Sequence, residues 1–161
     1  MRAVHLFDDW VTPTASPALL ERLGRPTLQT LGAFPLLGAP GGQWSAWFER
    51  FGGTLPARFV ASFDDSENLH RAAAEGLGIA LGLMTLARPL TETGRLVTPF
   101  PARLKAEYAH YLVYPPRSHN HAGLAAFREW LLPEARLSAD SEASAAALAA
   151  APRDRAGTGL G

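Results

Sequence analysis

The chain has 161 residues (17.2 kDa), no cysteine, and 15 basic residues against 15 acidic ones, so its formal net charge is zero. A hydrophobic share of 47% with 19% charge is enough to bury a core and excludes a wholly disordered chain, and the length suits one domain. The missing cysteines exclude a disulfide scaffold and cysteine-based zinc sites. The neutral balance, with Lys105 the one lysine, argues against nucleic-acid binding by this chain itself.

No run is long and apolar enough to cross a bilayer, and the first residues lack the apolar core of a signal peptide, so no membrane contact and a cytoplasmic location are expected. Glycines and prolines punctuate short apolar runs. Residues 10–15 read as a strand closed by Ser16-Pro17, and residues 18–23 as one or two helical turns ended by Gly24. Residues 34–37 form a short apolar strand. Gly41-Gly42 opens a helix in which Trp44, Trp47, Phe48 and Phe51 recur at helical spacing before Gly52-Gly53 stops it.

Residues 58–63 read as the next strand. Asp64, with Glu67 three positions on, fits a capping box; Leu69, Ala72 and Ala73 give the buried stripe, and His70 is expected on the solvated side. After Gly76, residues 77–83 read as a buried strand whose Gly78 and Gly82 allow close backbone approach. Residues 95–98 and 108–114 are further strands, and residues 122–132 form a helix stopped by Pro133. From residue 136 the chain lacks bulky apolar residues other than leucine, so a disordered tail over 136–161 is expected. Alternation of strand and helix predicts an α/β architecture with a mainly parallel sheet.

Enzyme chemistry finds little support. There is no G-x-S-x-G elbow, no Walker loop and no G-x-G-x-x-G after a strand. His119 and His121 suit an exposed N-terminal turn better than a metal site, which would need three or four ligands, so neither metal nor cofactor is expected. His110, inside an apolar strand, is either a satisfied core residue or a pocket donor. The adjacent acids Asp8-Asp9 and Asp64-Asp65 point apart rather than forming carboxylate pairs, and capping accounts better for the second pair. Ser66 falls in the first turn of its helix, where free N–H groups and the dipole favour a polar or anionic group; an ordinary capped helix is the equal alternative.

The string FDDSENLHRAAAEGLGIALG, preceded by QWSAWFERFGG and followed by GRLVTPFP and YAHYLVYPPRSHNHAGLAAFREWLLPEA, resembles the effector-binding domain of LysR-type transcriptional regulators. It is most similar to the branch of the glycine-cleavage and β-lactamase regulators, and LFDDWVTPTASPALL resembles that family's crossover segment. The resemblance implies a type 2 periplasmic-binding-protein-like fold with one complete α/β subdomain plus the C-terminal part of the other. Residues 1–135 would be a partial domain: first crossover about 10–16, second subdomain about 17–99, then the second crossover and return over 100–135.

It further implies a small-molecule effector held by Ser66 in the turn of Asp64, by His110 or Tyr111, and by Thr14 or Ser16. Family members begin with a helix-turn-helix and a linker helix, neither of which is found here. The expectation is therefore a truncated effector-sensing regulator that does not bind DNA specifically by itself and forms homo- or hetero-oligomers with LysR-type domains. A stand-alone solute-binding or interaction module, acting on a full-length regulator through mixed oligomers, is the alternative. The returning strand and helix would lack neighbours, leaving Leu112, Phe127 and Trp130 exposed.

Overall fold

The computed structural model describes residues 1–39 and 42–150. Its elements in chain order are β1 (Arg2–Phe7), β2 (Trp10–Thr14), α1 (Pro17–Leu23), β3 (Leu36–Gly38), α2 (Trp44–Phe51), β4 (Ala61–Ser62), α3 (Ser66–Ala74), β5 (Ile79–Leu83), α4 (Met84–Glu92), β6 (Leu104–Lys105), β7 (His110–Tyr114) and α5 (Ala122–Ala150). Of the expected Gly41-Gly42 helix opening, Gly41 lies outside the described residues.

Five strands form one sheet in the order β4-β3-β5-β2-β6, and β1 pairs with β7 in a separate antiparallel ribbon. The sheet is mixed rather than mainly parallel: β3 runs parallel to β4 and β5, whereas β2 is antiparallel to β5 and β6. The parallel half follows from the crossovers through α2 and α3. Pro13 is tolerated inside β2 because β6 reaches only Trp10 and Val11, so β2 is an edge on that side at Pro13. At Gly82 a Cβ would come within 2.7 Å of Thr14 Cγ2, which is the close approach of β2 to β5 expected there.

Alternation along the strands sorts the core onto two faces. Leu36, Ile79 and Leu81 pack with Leu19 and Leu20 of α1 and with Trp44, Trp47 and Phe48 of α2. On the other face, Leu37 and Ala80 pack with Leu69 and Ala73 of α3. Trp47 is fully buried, tilted against Phe51 with ring centroids 4.3 Å apart. The Trp44 indole donates to the Leu37 carbonyl at 2.8 Å, pinning α2 to β3.

Several expected elements differ. Residues 95–98 form no strand; a single bridge joins Ala15 and Val97. The strand over 58–63 shrinks to Ala61–Ser62. β1, β6 and α4 carried no clear signal: α4 has an uncapped start at Leu83 and an internal Pro89. Helix α5 passes through Pro133 and continues to Ala150, where a stop and then a disordered tail were expected; residues 151–161 lie outside the described residues. An interior proline costs roughly 3 kcal/mol, and a stripe of small and polar residues offsets it. Ala135 and Ala146 are buried, Arg88 Nη1 donates to Ser138 Oγ at 3.1 Å, and Glu142 sits 3.9 Å from Arg88 and 3.8 Å from Arg103. These positions recur at helical spacing, a stripe invisible to a search for bulky apolar residues.

β1 supplies one of the neighbours that β7 was expected to lack, while Phe127 and Trp130 remain 45% and 61% exposed and Leu112 is half-buried. Trp47→Ala should cost ~3–5 kcal/mol of stability, against ~0.5 kcal/mol or less for Trp130→Ala. Urea unfolding midpoints of the two variants measure this contrast directly.

Candidate functional site

A cleft of about 240 Å³ opens at the carboxyl ends of the parallel strands, the edge at which open α/β sheets bind ligands. Its walls come from β2, β3 and β5 through Val11, Leu37 and Leu81, from the first residues of α2 and α3 through Trp44 and Ser66, and from the chain entering β7 through Glu107 to His110, the first residue of that strand. The floor is apolar and the polar groups converge from the rim.

Asp65 is the N-cap of α3, where Asp64 was expected. Its Oδ1 accepts from the Glu67 and Asn68 N–H groups at 2.7 and 3.2 Å, while Asp64 is exposed. The box fails one position early because Glu67 turns to Arg71, 2.8 Å away, and Asn68 Nδ2 instead reaches back to Asp65 Oδ2 at 2.7 Å. With those N–H groups taken, the half-buried Ser66 keeps a hydroxyl that has no intramolecular partner among the described residues. His110 reaches the same cleft with Nε2 on Asp9 Oδ2 at 2.8 Å and its ring stacked on Phe7, centroids 4.5 Å apart. Of its two open readings, it is therefore a partnered residue that also lines the pocket.

The other expected contacts lie elsewhere. Thr14 is buried and donates to the Ala80 carbonyl at 3.2 Å; Ser16 caps α1 by accepting from Leu19 N–H at 3.1 Å. Tyr111 projects from the opposite face of β7, edge-on to His5 at 5.3 Å. His119 Nδ1 faces the Tyr114 hydroxyl at 3.2 Å, and His121 Nδ1 accepts from Gly123 N–H at 3.2 Å.

Residues 1–136 match the family model described as the LysR substrate binding domain. The chain belongs to that family. It is 37% identical over 131 residues to the HTH-type transcriptional regulator PerR of Escherichia coli K12, covering 79% of this chain and 43% of that protein. It is 31% identical over 140 residues to the glycine cleavage system transcriptional activator of the same strain, covering 84% and 45%. The chain thus spans less than half the length of these curated relatives, both transcriptional regulators. The effector domain of the regulator AmpR of Pseudomonas aeruginosa has the same fold, with a TM-score of 0.73 and 26% identity over 88% of this chain and 68% of that one. The full-length regulator LysG of Corynebacterium glutamicum, solved with bound effector Arg, is similar in fold, with a TM-score of 0.55 and 20% identity over 83% and 46%. The mixed α/β structure is therefore the LysR effector-binding fold, of the periplasmic-binding-protein type. No helix among the described residues is long and apolar enough to cross a membrane.

Three polar residues of this LysR domain escaped the sequence reading. Gln43 stands at the start of α2 without capping it; its Nε2 donates to the Lys105 carbonyl at 3.1 Å and its Oε1 accepts from Glu107 N–H at 3.0 Å, holding the chain between β6 and β7 over the cleft. Asp9, between β1 and β2, is fully buried. His70, expected in solvent, is 2% exposed, and its Nε2 accepts from Leu83 N–H at 3.1 Å. The i, i+4 stripe of Leu69 and Ala73 admits His70 because α4 covers that side of α3.

Burial pulls the His70 imidazole below its ordinary value, with Asp9 and Asp65 opposing. The unfolded chain then binds more protons than the folded one as pH falls below about 6.5, so this stabilisation is complete above that value and is lost on acidification. His70→Gln should flatten the fall in urea midpoint between about pH 7 and about pH 5 relative to the parent chain.

Proposed function

We propose that this chain senses a small-molecule effector in the cleft between the second crossover and the starts of α2 and α3. Ser66 and His110 contact the effector. The observation that carries this reading is their convergence: a partner-free hydroxyl in the first turn of α3 and a braced imidazole face one apolar-floored space. The N–H groups at the start of α3 are already occupied by Asp65, so the Ser66 hydroxyl itself offers the effector one hydrogen bond. The regulator with bound arginine, although alike in fold alone, supports a metabolite of that size.

Occupancy stabilises one orientation of the ribbon β1–β7 relative to the five-stranded sheet, because the cleft draws walls from both crossovers. In a complete regulator that orientation sets the arrangement of DNA-binding heads within an oligomer of LysR-type domains. DNA recognition resides outside the part of the relatives that this chain matches.

The test is a titration of the ¹⁵N-labelled chain with free L-amino acids and short carboxylates. Amide shifts should gather at Ser66, Leu69, Glu107 and Ala109 and bypass Thr14. Ser66→Ala should weaken binding ~2- to 10-fold, the worth of one hydrogen bond. Equal affinity in the variant, or shifts gathered away from the cleft, would overturn the assignment.

A further inference from the structure

We propose that Asp9 is a positioning residue of the effector cleft: it fixes the tautomer and orientation of His110 and ties that imidazole to the first turn of α4. The proposal rests on the reading of the cleft as the effector site. Asp9 joins β1 to β2, and its carboxylate is entirely removed from solvent. Such a group persists only if each oxygen is satisfied. Oδ1 accepts from Trp10 N–H at 2.8 Å and from Thr85 N–H at 3.3 Å, and Oδ2 takes His110 Nε2 at 2.8 Å.

The contact with Thr85 has a second meaning. Helix α4 starts at Met84 after Leu83, whose side chain cannot cap. Asp9, remote in sequence, supplies the missing acceptor and a negative charge at the positive end of that helix. One carboxylate thus holds the first crossover, the start of α4 and the start of β7 together.

The consequence for His110 follows from donor and acceptor inventory. A carboxylate accepts, so the neutral imidazole carries its proton on Nε2 and leaves the lone pair on Nδ1. Nδ1 has no hydrogen-bond partner among the described residues, and Phe7 covers one ring face. The polar atom left for an occupant of the cleft is therefore an acceptor. It suits an effector bearing an N–H donor, an ammonium or amide group. A pull on Nδ1 is passed through the ring to Asp9 and from there to α4.

The tautomer can be read without any ligand. In the whole chain labelled with ¹⁵N-histidine, a long-range ¹H–¹⁵N correlation in the range where the ring is neutral should show His110 protonated on Nε2, the signal being assigned by its loss in His110→Gln. In Asp9→Asn the side-chain oxygen stays with the Trp10 and Thr85 N–H groups and the NH₂ turns to His110, so the proton should move to Nδ1. Protonation on Nδ1 in the parent chain would overturn the proposal, whether or not the variant folds. An unchanged tautomer in folded Asp9→Asn would do the same. Either failure leaves the cleft's effector assignment standing, just as an absent ligand response at Ser66 would leave the Asp9 tether standing.

Discussion

The buried carboxylate of Asp9 is the constraint around which this domain is arranged. Besides its three side-chain bonds, its carbonyl accepts from Ala106 N–H at 2.8 Å, so one residue between β1 and β2 is fastened to two positions, Ala106 and His110, around the start of β7. Thr12 adds a parallel tie, donating to the Ala102 carbonyl at 2.8 Å. Removing a partner from a carboxylate buried in this way costs several kcal/mol. These bonds hold the segment between β1 and β2 against the chain that leads into β7. They set the wall of the cleft nearest His110.

The opposite walls come from packing rather than charge. Leu36, Leu37, Ile79 and Ala80 commit both faces of β3 and β5 to the core, which leaves only the strand ends free to form a site. Trp47 and Trp44 fix α2 against that sheet, and Gln43, freed from capping, reaches across to Lys105 and Glu107. Ser66 gains its place because Asp65 rather than Ser66 itself takes up the cap. On the far side, Glu142 of α5 lies 3.9 Å from Arg88 of α4 and 3.8 Å from Arg103.

Local patterns in the chain were enough for β2, α1, α2 and the position of α3, because each carries its own periodicity and its own stop residue. The family resemblance was legible in the strings around Ser66 and before α1. What stayed hidden depends on partners distant in sequence. Asp8-Asp9 reads as two acids that point apart, without a sign of which is buried: Asp8 is held below the usual carboxylate range by hydrogen bonds from exposed His5 and Lys105, while its neighbour is buried beneath His110. His70 reads as a surface residue until Leu83 N–H and the cover of α4 are known. The extension of α5 past Pro133 turns on alanines and a serine, whose contribution is close fit rather than hydrophobic mass.

The most direct measurement of the account is native-state amide exchange at Thr85 and Ala106, the two distant N–H groups that meet on Asp9. If Asp9 binds α4 and the chain before β7 as a unit, both amides open together, with opening free energies that agree within ~0.5 kcal/mol. Fast exchange at Thr85 beside slow exchange at Ala106 would show that α4 is not fastened to the segment that Asp9 holds, and would contradict it.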